Sequence, residues 1–430
     1  VQASQAGTNQ LGVCNFGTQL GTTLSSIRNA GDVLMLAVDL DAGHMWLGAN
    51  GVWEQGDPVA GTNPRWTDVE SPVVPFHALY SNGEIQKLQF NEDELDYTPP
   101  DGFLPVMAKY LPEPTILDAK QYFDPVIYAG NDTPRTITTR NKVDHVVLKS
   151  RTSAGWWNAI DSVRGVDKQL IWNESVAERS EVDLVTAFGA ENSFDLGTYY
   201  DGNLSGQNFV AYPFTKSPIA GMDIVTYTGD GIAGRTVPHG LGVKPQFIIV
   251  KARSAAGESW NVYFESLGAT QRMALESNNG AIASGDWNNT EPTTTEFSLG
   301  SGWGNTSGVT YVGYLFASIP GFSKVFSFTG NANADGPFVH CGFKPAFILM
   351  KSSTSAHNWW VLDVIRDNYV NPLDTYLAAN TPNAEPNQYT FLDSLSNGFK
   401  LRTVDGSINP NGGTVVGIAF AEHPFGRRGL

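Results

Sequence analysis

The chain has 430 residues, of which 16% are charged, a formal net charge of −16 and no basic run longer than Arg427-Arg428. A phosphate backbone or an anionic membrane needs clustered Lys and Arg, so neither nucleic acid nor a membrane surface is an expected partner. Cys14 and Cys341 lie far apart in the sequence, which excludes a disulfide framework and a thiolate metal site, and no stretch of eighteen apolar residues predicts a membrane-inserted helix.

The length suggests two to four domains. Plentiful Gly, Ser, Thr, Asn and aromatic residues suit short strands joined by tight turns, an all-β chain. In the first hundred residues, Asp32 to Asp39 predicts a strand, Asp41-Ala42-Gly43 a turn and His44 to Leu47 its partner. Gly48-Ala49-Asn50-Gly51 turns the chain again before Val52-Trp53, with Gly and Asn supplying the positive φ that tight hairpins need. Pro75 to Tyr80 and Glu84 to Phe90 predict another pair around Ser81-Asn82-Gly83.

These strings, from Gly31-Asp32-Val33 and Ala37-Val38-Asp39-Leu40-Asp41 through Met45-Trp46-Leu47-Gly48 and Asn50-Gly51-Val52-Trp53, resemble a SPRY domain as found inside phage structural proteins. Gly56-Asp57-Pro58, Ala60-Gly61-Thr62-Asn63-Pro64 and the closing Tyr97-Thr98-Pro99-Pro100-Asp101-Gly102-Phe103 extend the match over about residues 10–105. The resemblance covers only the latter half of that two-sheet sandwich. It implies that the native protein continues upstream of Val1, or that another chain covers the open sheet face.

Residues 106–120 read as a linker, and a repeat of domain size follows. Val146-Val147-Leu148-Lys149, Phe247-Ile248-Ile249-Val250-Lys251 and Phe347-Ile348-Leu349-Met350-Lys351 are apolar runs ending in Lys, each followed by a polar turn and a second run opening on Trp. Equivalent lysines are 102 and then 100 residues apart. Each copy begins with an aromatic–small–Gly turn ending at Gly130, Gly229 or Gly330, and each ends on an apolar strand with Phe214, Phe316 or Phe420 beyond it. The pattern is that of a buried strand, a hairpin turn and a partner strand, three times over. The strings His239-Gly240-Leu241-Gly242-Val243-Lys244-Pro245, His340-Cys341-Gly342-Phe343-Lys344-Pro345 and Ala419-Phe420-Ala421-Glu422-His423-Pro424-Phe425 resemble a module recurrent in predicted phage virion proteins. Repeat one departs from it, with Thr138-Thr139 near the histidine position and Val143 in place of the proline.

His239 and His340 have no second His or carboxylate at ligand spacing, so hydrogen bonding to the turn backbone is their expected role. Trp157, Trp260 and Trp360 hold one place in every copy and are expected in the core. Trp156 and Trp359, where repeat two has Ser259, point to the opposite face of a strand, and Trp287 and Trp303 sit in Gly/Asn/Ser-rich loops. These four are the candidate glycan platform, because an aromatic face stacks on sugar C–H groups much as it packs apolar side chains. An exposed Trp equally suits contact with another subunit.

Asp161 with Arg164 and Asp363 with Arg366 read as ion pairs tying down a turn rather than as the carboxylate pair of a glycosidase. Glu92-Asp93-Glu94 and Asp96 read as a solvated acidic loop; calcium is weighed at that run or at Asp39, Asp41 and Asn50, but EF-hand-like spacing is missing. No cofactor and no metal is expected. Nucleophile-elbow, zinc-protease and phosphate-loop strings are absent, so a non-enzymatic protein is expected.

The expected fold is all-β: a truncated SPRY-like β-sandwich at 1–105, the linker at 106–120, and three tandem related small β-sandwich domains at 121–217, 218–319 and 320–430, strung as a beaded row. The resemblance implies a structural protein of the phage particle, of tail-fibre type, whose loop aromatics engage a host cell-surface glycan or protein. Its other partners would be virion proteins, and its assembly a homo-oligomer, a trimer by analogy. Two alternatives stay open: a polysaccharide-degrading tailspike, which needs a carboxylate pair facing a groove, and a purely structural fibre, head decoration or adaptor protein.

Overall fold

The apolar run that marks each repeat is the central strand of a sheet, and in the first two repeats its residues alternate between two cores, while in the third all four join one core. Val146 and Leu148 face the interior of the first repeat while Val147 faces the opposite way; Ile248 and Val250 face the second repeat's interior while Phe247 and Ile249 face away. A strand with every position apolar needs cover on both faces, and one sandwich covers only one.

The computed structural model describes residues 2–3, 10–15, 18–23, 31–69, 87–107, 110, 114–189, 192–386 and 390–424. They form two units, Val1–Pro112 and Glu113–Leu430. In the first unit, Asp32–Asp39 pairs antiparallel with His44–Ala49, which pairs with Val52–Trp53. Asn50 (φ 49°) and Gly51 (φ 85°) make the turn between the last two, the geometry expected of Asn-Gly. Trp46 is fully buried and meets Phe103 edge-on. The expected pair Pro75 to Tyr80 and Glu84 to Phe90 lies largely outside the described residues.

In the second unit each repeat forms a lobe of two antiparallel sheets with one strand order. In lobe 1 the larger sheet runs Val126–Ala129, Asn208–Phe214, His145–Ser150, Asn158–Asp161, Gly165–Ile171, Arg179–Ser180. Lobe 2 repeats it as Met222–Thr228, Thr310–Phe316, Phe247–Ala252, Asn261–Phe264, Gln271–Ala274, Ile282–Ala283, and lobe 3 as Ser323–Thr329, Thr414–Pro424, Phe343–Ser352, Trp360–Asp363, Leu377–Ala378. The smaller sheet pairs Arg135–Thr138 with Ser193–Leu196, Arg235–Pro238 with Glu296–Leu299, and Phe338–His340 with Gly398–Leu401.

The lobes are not beads on a string, and that expectation is corrected. One hydrophobic core takes in Val147, Val210 and Phe214 of lobe 1, Ile249, Val312 and Phe316 of lobe 2, and Leu349, Val416 and Phe420 of lobe 3. The three equivalent phenylalanines meet pairwise edge-to-face, with centroids 5.9 Å (Phe214–Phe316), 5.5 Å (Phe214–Phe420) and 6.0 Å (Phe316–Phe420) apart. The second face of each central strand is covered by the other two lobes.

The joints between lobes close in a cycle. The indole N–H of Trp157 in lobe 1 donates to the Ala378 carbonyl in lobe 3, Trp260 in lobe 2 to Ile171 in lobe 1, and Trp359 in lobe 3 to Ala274 in lobe 2, each at 2.9 Å. The three acceptors hold one position of the repeat. Backbone bonds at 2.8 Å cross the same three joints in the opposite sense: Glu178 N–H donates to Arg253, Ala281 to Ser353 and Glu385 to Arg151. The repeating tryptophans are therefore Trp157, Trp260 and Trp359. All three are fully buried, as is Trp360 nearly so, but Trp360 holds the position of Asn158 and Asn261, one residue on.

Gly130, Gly229 and Gly330 sit in equivalent places, as expected. A Cβ at each would lie 2.1, 2.3 and 2.2 Å from the carbonyl oxygens of Leu204, Thr306 and Pro410. That close approach belongs to a landmark the sequence reading passed over, the buried Asn203, Asn305 and Asn409. Each side-chain oxygen accepts the backbone N–H of Asn131, Asp230 or Asn331, and each amide bonds two or more turn carbonyls or neighbouring side chains.

Candidate functional site

The positions beside the joint tryptophans repeat only at Asn158 and Asn261, and there the lobes part company. Four of them cluster inside each lobe: the residue before the tryptophan, the residue after it, the residue two before the indole's acceptor position, and the residue two before the buried asparagine.

In lobe 1 these are Trp156, Asn158, Gln169 and Asp201, and they bond to one another. Asn158 donates to the Asp201 backbone at 3.0 Å and accepts from Gln169 at 2.6 Å, while the Trp156 N–H donates to the Asp201 carboxylate at 2.7 Å. Burial raises the Asp201 carboxyl above its usual range, against the opposing effect of those bonds. The Trp156 ring is half-buried beneath the Arg179 guanidinium, 4.7 Å from its centroid.

In lobe 2 the set is Ser259, Asn261, Arg272 and Trp303. Arg272 pairs with Asp286 at 3.0 Å and lies 4.5 Å over the Trp303 ring, and Asn261 donates to the Trp303 carbonyl at 3.2 Å. Trp303 remains 39% exposed.

In lobe 3 the set is Asn358, Trp360, Tyr376 and Ser407. Two aromatic residues replace the hydrogen-bonding pair, and they stack with centroids 3.9 Å apart and planes 16° from parallel. Ser407 turns to the His357 Nδ1 at 3.2 Å. Beside them lies a cleft of about 420 Å³, lined also by Asp405 and, from lobe 2, Asn278. Beneath it the buried Lys351 ammonium donates to the backbone carbonyls of Asn278 (2.7 Å) and His357. Burial lowers that lysine to about 7.

Of the four expected platform residues, two are corrected. Trp359 is 0% exposed because it is the joint tryptophan of lobe 3, and Trp287 is 1% exposed, packed edge-on against Tyr263 and Phe297. Trp156 and Trp303 remain partly open, each under an arginine. Tyr376, His357, Asn358, Asp405 and Ser407 went unnoticed. Aligning the lobes on Asn203, Asn305 and Asn409 would have placed Asp201, Trp303 and Ser407 together and exposed the divergence.

The other candidates take structural positions. His239 Nδ1 accepts the Leu241 N–H at 3.3 Å, as expected of that turn, whereas His340 stands exposed. Asp39 accepts the N–H groups of Asp41 and Ala42, and Asn50 accepts that of Val33 and donates to Asp32. Glu92–Glu94 forms a short 3₁₀ turn capped by Asn91. Among the described residues, no three His, Cys, Asp or Glu side chains converge as metal ligands would.

A family model described as a domain of unknown function, DUF7483, matches residues 118–424. The chain belongs to this family. The match begins just after the boundary between the two units and takes in all three lobes, so the DUF7483 domain is the shared-core unit as a whole. No curated protein matches the chain.

Proposed function

We propose that this chain is a non-enzymatic structural protein of a phage particle, a fibre-type component that holds a glycan or protein of the host surface. The phage reading rests on the SPRY-like and virion-module strings quoted above. The observation that carries adhesion is the contrast within the DUF7483 unit: Trp157, Trp260 and Trp359 repeat at the joints, while the residue before each (Trp156, Ser259, Asn358) differs in every lobe and the residue after, Asn158 and Asn261 in the first two, becomes Trp360 in the third. A fixed scaffold with variable side chains in equivalent places is how recognition is built without disturbing stability. In this reading its partners are other virion proteins and the host surface, and its assembly is a homotrimer.

Two measurements test it. Gold-labelled antibody against this chain should decorate phage particles at a fibre, and absence of label from intact particles removes the virion assignment. Incubation with host capsular polysaccharide should retain the polymer without shortening it.

The second reading is depolymerisation. Asp367 is buried beside Asp374, and burial, with that neighbour adding to it, pushes its carboxyl up to about 7. If polymer size falls and Asp367→Asn stops the fall, the tailspike reading replaces the adhesive one. Neither retention nor cleavage leaves a purely structural fibre, decoration or adaptor.

A further inference from the structure

We infer that the lobe 3 cleft is a binding site for a neutral saccharide, a ring bearing hydroxyls and no acidic group. The inference deepens the fibre reading and rests on it for the source of the ligand. Three observations lead to it. The matching positions bond to one another in lobe 1 through Asn158, Gln169 and Asp201, and in lobe 2 Arg272 pairs with Asp286 over Trp303, whereas in lobe 3 substitution at those positions accompanies a cleft. The substitutions put the edge of the stacked Trp360–Tyr376 pair, with Trp360 nearly buried, into a cleft whose rim is the polar His357, Asn358, Asp405 and Ser407. An aromatic edge beside planar amide and carboxylate groups matches the apolar C–H face and hydroxyl edge of a pyranose.

Charge selects the class. Among the described residues, the cleft is lined by one carboxylate, Asp405, and by no lysine or arginine side chain. Lys351 beneath it is fully buried, with its ammonium on the carbonyls of Asn278 and His357. An acidic sugar would face Asp405 with no cation to meet it, on a chain of net charge −16. A neutral sugar can donate hydroxyls to Asp405 and exchange bonds with Asn358.

Affinity electrophoresis of the full chain through gels holding a mannan, a galactan, a glucan or a polyuronate gives the test. Retardation is expected in a neutral gel and not in the polyuronate gel. Asn358→Ala and Tyr376→Leu should each weaken it by about tenfold, the loss of one good contact. Tyr376→Phe, which keeps the stack, should bind nearly as the parent does, and circular dichroism confirms that each variant is folded. Retardation untouched by Asn358→Ala and Tyr376→Leu overturns the assignment, as do failure in every neutral gel and equal retardation by polyuronate. Particle labelling separates the two readings: labelled virions with no neutral-sugar binding sink the cleft alone, and neutral-sugar binding by a chain absent from particles sinks the fibre alone.

Discussion

Tyr314 of lobe 2 sets its hydroxyl 2.7 Å from the Asp161 carboxylate of lobe 1, and Tyr212 of lobe 1 stands 2.6 Å from Asp363 of lobe 3 in the same way. Each carboxylate also pairs with an arginine three residues on, Arg164 or Arg366, and all four charged groups are fully buried within their pairs. Arg164 continues to Glu178, which binds Arg253 of the next lobe; Arg366 continues to Glu385, which binds Arg151. At the third joint every member is replaced together: Ile418 stands for the tyrosine, Phe264 for the aspartate, Leu267 for the arginine, Ala281 for the glutamate and Ser353 for the second arginine. A buried ion pair with one partner missing is strongly destabilising, so a joint must keep the whole network or lose the whole of it.

Removing one member therefore has a direction. Tyr314→Phe and Tyr212→Phe each take a hydrogen bond from a buried carboxylate and should destabilise the unit by about 1.5–3 kcal/mol. Burial works against the Asp161 carboxylate, but Arg164 and His145 bring it below its ordinary range, so it stays charged when the tyrosine leaves. Ile418→Tyr should also destabilise, because the matching position, Phe264, has no acceptor to offer. Urea unfolding of the three variants checks this; a stabilised Ile418→Tyr would mean the third joint is not apolar.

The shared core makes a second prediction about cooperativity. Trp157→Ala, Trp260→Ala and Trp359→Ala should each cost about 3–5 kcal/mol, as loss of a buried tryptophan does. Each should lower one common transition for residues 113–430, since a lobe cannot open without uncovering the other two. Calorimetry decides: three separable transitions, only one of them moved by each variant, would describe independent domains.

Much of this was legible in the residues. The continuous apolar runs, the Asn50-Gly51 turn and the period of about a hundred residues pointed to the strands, the repeat and the burial of Trp157, Trp260 and Trp360. The shared core was written there too, because Val146-Val147-Leu148 shows no alternation, and such a strand has no solvent face. Reading the lobes as separate overlooked where the second face must go. The register at Trp359-Trp360 was not readable, since adjacent tryptophans fit either alignment until the hydrogen bond to Ala274 chooses. The lobe 3 cleft was hidden for a related reason: its aromatic edge comes from Trp360 and Tyr376, far apart in sequence and joined only by strand pairing.

Stability should rise with pH on the alkaline side of neutrality. Burial pulls the Lys149 and Lys251 ammonium groups down to about 8 and Lys351 to about 7. Unfolded, all three return to about 10.4, so between these limits the unfolded chain binds more protons and each rise in pH favours the fold. Burial also raises the Tyr128, Tyr212 and Tyr314 phenols, so above about pH 10 the folded chain keeps protons that the unfolded chain loses, and stability falls. The melting temperature should climb from about pH 7.5 to about pH 9.5 and then drop. Lys351→Met should flatten the climb; an unchanged slope in that variant would mean the ammonium is not desolvated.

The aromatic–small–Gly turns supply the last test, because two glycines of the second lobe are needed for different reasons. A Cβ on Gly229 would lie 2.3 Å from the Thr306 carbonyl oxygen, backbone against backbone, held there by the buried Asn305. Gly242 has φ +70° and open space around its missing Cβ. Gly242→Ala should therefore cost only about 1 kcal/mol, the conformational penalty of a left-handed residue. Gly229→Ala must push the Asn305 loop aside and should cost more than twice that, about 2–4 kcal/mol. Chemical denaturation of the two variants side by side gives the comparison. Equal losses would mean that the loop yields freely, and that Asn305 does not fix the turn it bonds.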